Sequence, residues 1–156
     1  MNRIALAIHG GAGTISPEVM TPSREKIYRA ALELSLQRGY AALAQGGSAL
    51  DVVEVAVRAL EDSPLFNAGK GSVFNADGQH EMDASLMNGS DLRAGAVAGV
   101  QNVKNPITLA RRVMEKSSHV LISGSGAFEF AHKQKIELED DQYFFDQFRY
   151  DQWKET

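Results

Sequence analysis

Ile4-Ala5-Leu6-Ala7-Ile8 is a continuous apolar run that stops at a glycine cluster. Its length fits a strand buried on both faces better than a helix. The period then changes. Thr21-Pro22 reads as a cap and first turn of a helix whose polar stripe is Glu25, Arg29, Glu33 and Gln37. Ile27, Ala30, Ala31 and Leu34 are expected on its inner face, and Gln45-Gly46-Gly47 ends it. Ser48 followed by Asp51 resembles a capping box for a second helix. Ala49, Val53, Ala56 and Leu60 are expected on its buried side, and Asp51, Glu54, Arg58 and Glu61 on its wet side. Pro64 ends it.

From Gly71 to Val100 the spacing is two, broken by turn clusters at Asn75-Ala76-Asp77-Gly78 and Asn88-Gly89-Ser90. This predicts an antiparallel meander of about three strands. The last, Arg93 to Val100, is built of small residues, which let a neighbouring layer approach closely and offset the cost of glycine in a strand. Asn105-Pro106 opens a helix running to about Lys116. His119-Val120-Leu121-Ile122 reads as a short buried strand, and Gly124-Ser125-Gly126 turns it into a helix near Ala127–His132. After Lys135 the pattern dissolves, without a clear cap or turn.

Charge sharpens the view of that tail. The net charge of −4 comes entirely from residues 137–156, which hold 7 acidic and 2 basic residues together with six of the twelve aromatics. The other 136 residues are nearly neutral and show no basic stripe, so nucleic-acid binding is not expected. With 44% hydrophobic and 23% charged residues, the chain has the make-up of an ordinary globular domain. No apolar run is long enough for a membrane span, and the first nine residues lack a secretory h-region. No cysteine is available for a disulfide, a thiolate nucleophile or a zinc–sulfur site, and a cytoplasmic location is expected.

Four segments bear on chemistry. His9-Gly10-Gly11-Ala12-Gly13 frees the backbone to turn sharply and expose N–H groups, which suits an anion or oxyanion; it reads equally as a tight turn with a satisfied histidine. It is not a dinucleotide fingerprint, because a loop containing Ser-Pro follows where a helix should start. Ser63-Pro64-Leu65-Phe66-Asn67-Ala68-Gly69-Lys70-Gly71 carries an apolar pair pinned between proline and glycines. Such an inward loop is either a connection packed by its own side chains or a set of carbonyl oxygens fit for a hard monovalent cation. Glu81 and Asp83 share one strand face about 7 Å apart, as a metal pair or, more simply, hydrogen-bonding groups. Ser123-Gly124-Ser125-Gly126 is a phosphate cradle or a plain helix start.

His9 to Gly13, Pro64 to Gly71, Met82-Asp83-Ala84-Ser85 and Gly95 to Val100 stand in the order found in plant-type asparaginases, also called isoaspartyl peptidases, of the N-terminal-nucleophile hydrolases. The chain resembles that family from about residue 3 to residue 133. The resemblance implies an α/β fold, an αββα sandwich in which residues 1–136 form the α-subunit half. The tail 137–156 would lead towards an autocleavage point. It further implies a separate β chain that opens with a threonine nucleophile, an (αβ)₂ heterotetramer, and hydrolysis of L-asparagine and β-aspartyl dipeptides with release of aspartate. A glycosylasparaginase is the alternative within the fold, and an anion-binding structural domain the alternative outside enzymes.

Carried over by position, main-chain carbonyls of Leu60, Glu61, Ser63, Phe66, Ala68 and Lys70 would hold a structural sodium ion, and no organic cofactor is implied. Asn67 would orient the nucleophile, with His9, Gly10 and Gly11 supporting the site from behind. A threonine hydroxyl needs a base, here its own α-amine of pKa about 8, available only at a chain start. Met1 has no hydroxyl, so no catalytic nucleophile is expected within this chain.

Overall fold

The computed structural model describes residues 4–12 and 20–155, arranged as two compact units, Met1–Leu60 and Glu61–Thr156. Gly13, the last residue of the glycine turn, lies outside the described residues.

In the first unit, helix α1 runs Pro22–Ala44 and helix α2 opens at Ala49 and ends at Glu61. Thr21 Oγ1 caps α1 by accepting from the Arg24 amide at 3.2 Å. The capping box forms: Ser48 N donates to Asp51 Oδ2 at 2.9 Å, and Asp51 N donates to Ser48 Oγ at 3.3 Å. Arg29 reaches Glu25 at 2.7 Å and Gln37 reaches Glu33 at 3.0 Å along the exposed stripe.

The inward face of α1 differs from the expected one. Ile27 and Leu34 are exposed, whereas Ser35 and Gly39 are buried. The reason is proximity: a β-carbon on Gly39 would meet Ala56 Cβ at 3.2 Å and Leu6 Cδ2 at 2.7 Å. Small residues therefore mark the contact line, and Ser35 Oγ donates to the Ala56 carbonyl across it at 2.8 Å, a buried bond worth about 1 kcal/mol. On α2, Val52, Ala56, Ala59 and Leu60 are buried while Val53 is exposed. The run Ile4–Ile8 is not a strand; Ile4, Ala5 and Ala7 are exposed, and Leu6 lies against Gly39. An apolar run becomes a strand only where a neighbour takes its backbone hydrogen bonds, and among the described residues none does.

The second unit is built on a three-stranded sheet, ordered β1 (Met82–Met87), β2 (Ala94–Val100), β3 (Leu121–Ser123). β1 and β2 are antiparallel, with Ala84 opposite Val97 and Leu86 opposite Gly95; β2 and β3 are parallel. A parallel pair needs a crossover, which helix α3 (Pro106–Lys116) supplies. The register shifts between Met82 and Ala84, and there Asp83 Oδ1 accepts from the Gly99 amide at 2.8 Å. The carboxylate serves an amide next to the irregularity, so Asp83 is a hydrogen-bonding group. α3 lies across β1 and β2, burying Val97, Val100, Ile107, Leu109, Ala110 and Val113. The small residues of β2 permit this: a β-carbon on Gly95 would collide with the Ala110 carbonyl and the Met114 amide.

Several readings change in this unit. The first arm of the meander is a single bridge, Phe74 to His80, closed by Asn75 Oδ1 accepting from the Asp77 and Gln79 amides at 3.0 and 2.9 Å. Gly71 and Ser72 are diverted into a 3₁₀ turn, Gly69–Gly71, because their amides donate to the carbonyls of Ala68 and Gly69. β3 forms, but at a sheet edge, with Val120 and Leu121 exposed, and helix α4 starts directly at Gly124 and runs to Lys133.

The tail is ordered into helices α5 (Asp141–Phe144) and α6 (Gln147–Lys154), capped by Asp140 and Asp146, which accept from the Tyr143 and Arg149 amides at 3.1 Å. The caps were hidden because aspartates in an acidic run look like mere charge. Before α5, Lys104 N donates to the Glu137 carbonyl and Glu139 N to the Asn102 carbonyl, zipping the tail to residues 102–104. Lys104 Nζ sits 2.6 Å from Glu137 and 3.5 Å from Glu139; its pKa is raised first by the Glu137 hydrogen bond.

Candidate active-site loop

The predicted site residues fall in both units. His9, Gly10 and Gly11 stand exposed in the first, with Gly11 at φ +118°, a conformation that favours glycine. Leu60 is a buried residue of the last turn of α2. Glu61 ends α2 and opens the second unit, and Ser63, Phe66, Asn67, Ala68 and Lys70 lie together on the loop that follows it.

That loop is wound on its own backbone. Ala68 N donates to the Phe66 carbonyl at 2.8 Å, Gly71 N to Ala68 at 3.1 Å, and Ser72 N to Gly69 at 3.0 Å. Ser63 Oγ accepts from the Leu65 amide at 3.3 Å; of the apolar pair Phe66 is buried at 6% exposure, while Leu65 is only half-buried. Gly69 adopts φ +52°, and a β-carbon there would collide with the Glu61 carbonyl; one on Gly71 would collide with the carbonyls of Phe66 and Pro64. Three carbonyl oxygens therefore crowd the two glycines, and no side chain fits between. Glu61 and Phe66 belong to the predicted ligand set; Pro64 was not singled out, since nothing in its residue type signals where its carbonyl points. Main-chain carbonyl oxygens are uncharged donors, the kind of ligand a monovalent cation takes.

Glu61 corrects a sequence expectation. Its side chain is 3% exposed rather than wet, and Oε1 accepts from the Ile107 amide at 2.9 Å. The carboxylate thus serves the first turn of α3, where a negative charge is favoured. Asn105, expected to cap α3, makes no side-chain cap bond and instead donates to Asp62 Oδ1 at 3.0 Å. No local pattern reports such an exchange between segments more than forty residues apart.

Asn67 is exposed, and its Oδ1 accepts from the Val73 amide at 3.0 Å. An N–H can only donate, so the oxygen is turned to Val73 and the Nδ2 amide is the outward group. Asn67 is therefore presented as a hydrogen-bond donor, and donors suit a developing oxyanion or a hydroxyl oxygen.

Family models place residues 2–156 in the asparaginase family. The chain belongs to that family. Within it, the chain is 48% identical over 152 residues to the isoaspartyl peptidase of Escherichia coli, covering 97% of this chain and 47% of that protein. It is 49% identical over 152 residues to the isoaspartyl peptidase of Salmonella typhimurium, covering 97% of this chain and 49% of the relative. The plant-type L-asparaginase of Pyrococcus furiosus is 56% identical over 128 residues, 82% of this chain and 40% of its own length. The chain thus spans about half the length of the curated relatives it matches. Its mixed α and β composition accords with an asparaginase-family chain, and no helix of the described residues is long and apolar enough to cross a membrane.

Beside the loop lies a histidine that the sequence did not flag. His80 is 8% exposed, and its Nδ1 stands 3.0 Å from the Ser72 carbonyl and 3.2 Å from Ser72 Oγ. A carbonyl only accepts, so Nδ1 carries the proton; Nε2 is buried without a hydrogen-bond partner among the described residues. Phe74 packs on the ring at 4.1 Å between centroids. Burial holds the imidazole pKa below its ordinary value of 6.5, against the opposing pull of the Ser72 carbonyl and Asp141. His80 is a neutral packing residue beneath the loop.

Proposed function

We propose that this chain is the front half of a threonine-dependent amidohydrolase that splits L-asparagine and β-aspartyl dipeptides and releases aspartate. The observation that carries this reading is the family match over residues 2–156, combined with a span of about half the relatives' length. Relatives named isoaspartyl peptidase and plant-type L-asparaginase supply both substrate classes. The nucleophile belongs to a β chain cut from the same precursor; the two pieces complete an αββα sandwich and pair as (αβ)₂ in the cytoplasm.

In this mechanism the β-chain threonine hydroxyl loses its proton to its own α-amine and attacks the side-chain carbonyl. A tetrahedral oxyanion forms, the amine leaves with a proton, and water then cleaves the acyl-enzyme. Asn67 acts as a donor that orients the nucleophile, with its amide fixed by Val73. The exposed turn at His9, Gly10 and Gly11, with Gly11 at φ +118°, is assigned to active-site support by the family resemblance. Carbonyls of Leu60, Glu61, Ser63, Phe66, Ala68 and Lys70 hold a sodium ion whose contribution is to keep the loop rigid; the crowding of carbonyls about Gly69 and Gly71 supports this.

Mass spectrometry of the full-length gene product, together with an aspartate-release assay, tests the reading. Two polypeptides, the second beginning with threonine, and release from both substrates are expected. A single uncut polypeptide, or no release from either, refutes it. Exchange of sodium for tetramethylammonium should lower the melting temperature; indifference removes the ion from the loop.

A further inference from the structure

We propose that Arg149, on α6 of the tail, is a positioning residue for Asn67. Gly71 is the buried last residue of the 3₁₀ turn, and its carbonyl accepts from Arg149 Nε at 3.0 Å. Arg149 is itself held: Asp146 Oδ1 caps its amide at 3.1 Å, its Nη1 donates to Gln152 Oε1 at 3.0 Å, and its guanidinium lies 5.6 Å from the centre of the Phe148 ring. The helix is clamped to the same segment at its other end. Trp153 stacks on Phe74 at 5.6 Å and 30°, and the Trp153 ring stands 2.9 Å from where a β-carbon on Gly78 would lie. Lys70 adds a third contact, with Nζ 5.1 Å from the Tyr143 ring centre on α5.

Two residues beyond Gly71, the Val73 amide donates to Asn67 Oδ1. Arg149 therefore fixes one end of a three-residue segment whose other end orients the Asn67 amide. A buried carbonyl that loses a charged donor must find another partner or turn to water. Turning it rotates the following peptides and frees Val73 N–H, so Asn67 no longer presents Nδ2 in one direction. The tail thus acts on the candidate site through backbone, without touching the reacting atoms. The catalytic consequence rests on the functional reading above; the positioning itself does not.

The test uses the full-length protein and the variants Arg149→Met and Arg149→Lys. Hydrogen exchange at the Val73 amide should quicken about tenfold in Arg149→Met, with β1 and β2 amides unchanged. The kcat for L-asparagine should fall about tenfold at unchanged KM, and Arg149→Lys should recover part of both. If Arg149→Met does not accumulate, Arg149→Lys alone should show the same directions at smaller size. Val73 exchanging at the wild-type rate in Arg149→Met, or at a free-peptide rate in the wild type, overturns the proposal. So does a uniform rise in exchange across the unit, or an effect on KM alone. A wild-type protein that hydrolyses neither substrate defeats the functional reading, while the exchange result still decides the positioning.

Discussion

Replacing Glu61 with alanine removes a carboxylate 3% exposed whose Oε1 accepts from the Ile107 amide at 2.9 Å. Ile107 is 3% exposed, so water does not readily replace the lost acceptor. A hydrogen bond to a charged group is worth about 1.5–3 kcal/mol, and its position in the first turn of α3 places the charge where the helix favours it. At about 1.4 kcal/mol per decade, the first turn of α3 should open roughly 10- to 150-fold more often in Glu61→Ala. Hydrogen exchange of a peptide spanning residues 105–110, measured on the full-length protein, reads this directly. Glu61→Gln keeps an acceptor oxygen and loses the charge, so it should fall between wild type and alanine. Exchange of Ile107 in Glu61→Ala within about threefold of wild type would refute the assignment of Glu61 as the anchor of α3.

Gly95→Val should lower the melting temperature by forcing α3 off β2, since even a β-carbon meets the Ala110 carbonyl; overpacking of this kind costs about 1–3 kcal/mol. Gly69→Ala combines φ +52° with a collision at the Glu61 carbonyl, and the expected outcome is loss of the melting shift between sodium and tetramethylammonium. Asn67→Asp keeps the acceptor for Val73 and removes the outward donor, so the kcat of the full-length enzyme should fall roughly 10²-fold with Val73 exchange unchanged. His80 has a folded pKa below its ordinary 6.5. The unfolded chain therefore binds the proton more readily, and the stability from neutral His80 is present above 6.5 and lost as pH falls below it. Melting curves of wild type against His80→Phe between about pH 5 and 7.5 should converge in slope only if another group dominates.

Local signals carried far along this chain. Thr21, Ser48 and Asp51 sit at helix starts because a cap is satisfied within three residues of itself, and the bonds observed are the ones their spacing implied. The pinned loop from Ser63 to Gly71 was visible for a similar reason, since proline and glycine restrict only their own neighbourhood. The tail shows the limit of such reading. Asp140 and Asp146 cap α5 and α6, yet within a run of acidic residues they could not be told from solvated charge.

What the amino-acid order alone determined about this protein was where α1, α2 and α3 begin, which strand must be thin, and which loop turns inward. Each depends on forces acting over a few residues. The tertiary structure alone decided that Ser35 and Gly39 face inward on α1, that Glu61 is buried to hold α3, and that Arg149 reaches Gly71. Those outcomes depend on partners roughly 20 to 80 positions away, whose approach is set by packing of whole elements rather than by any residue's own preference.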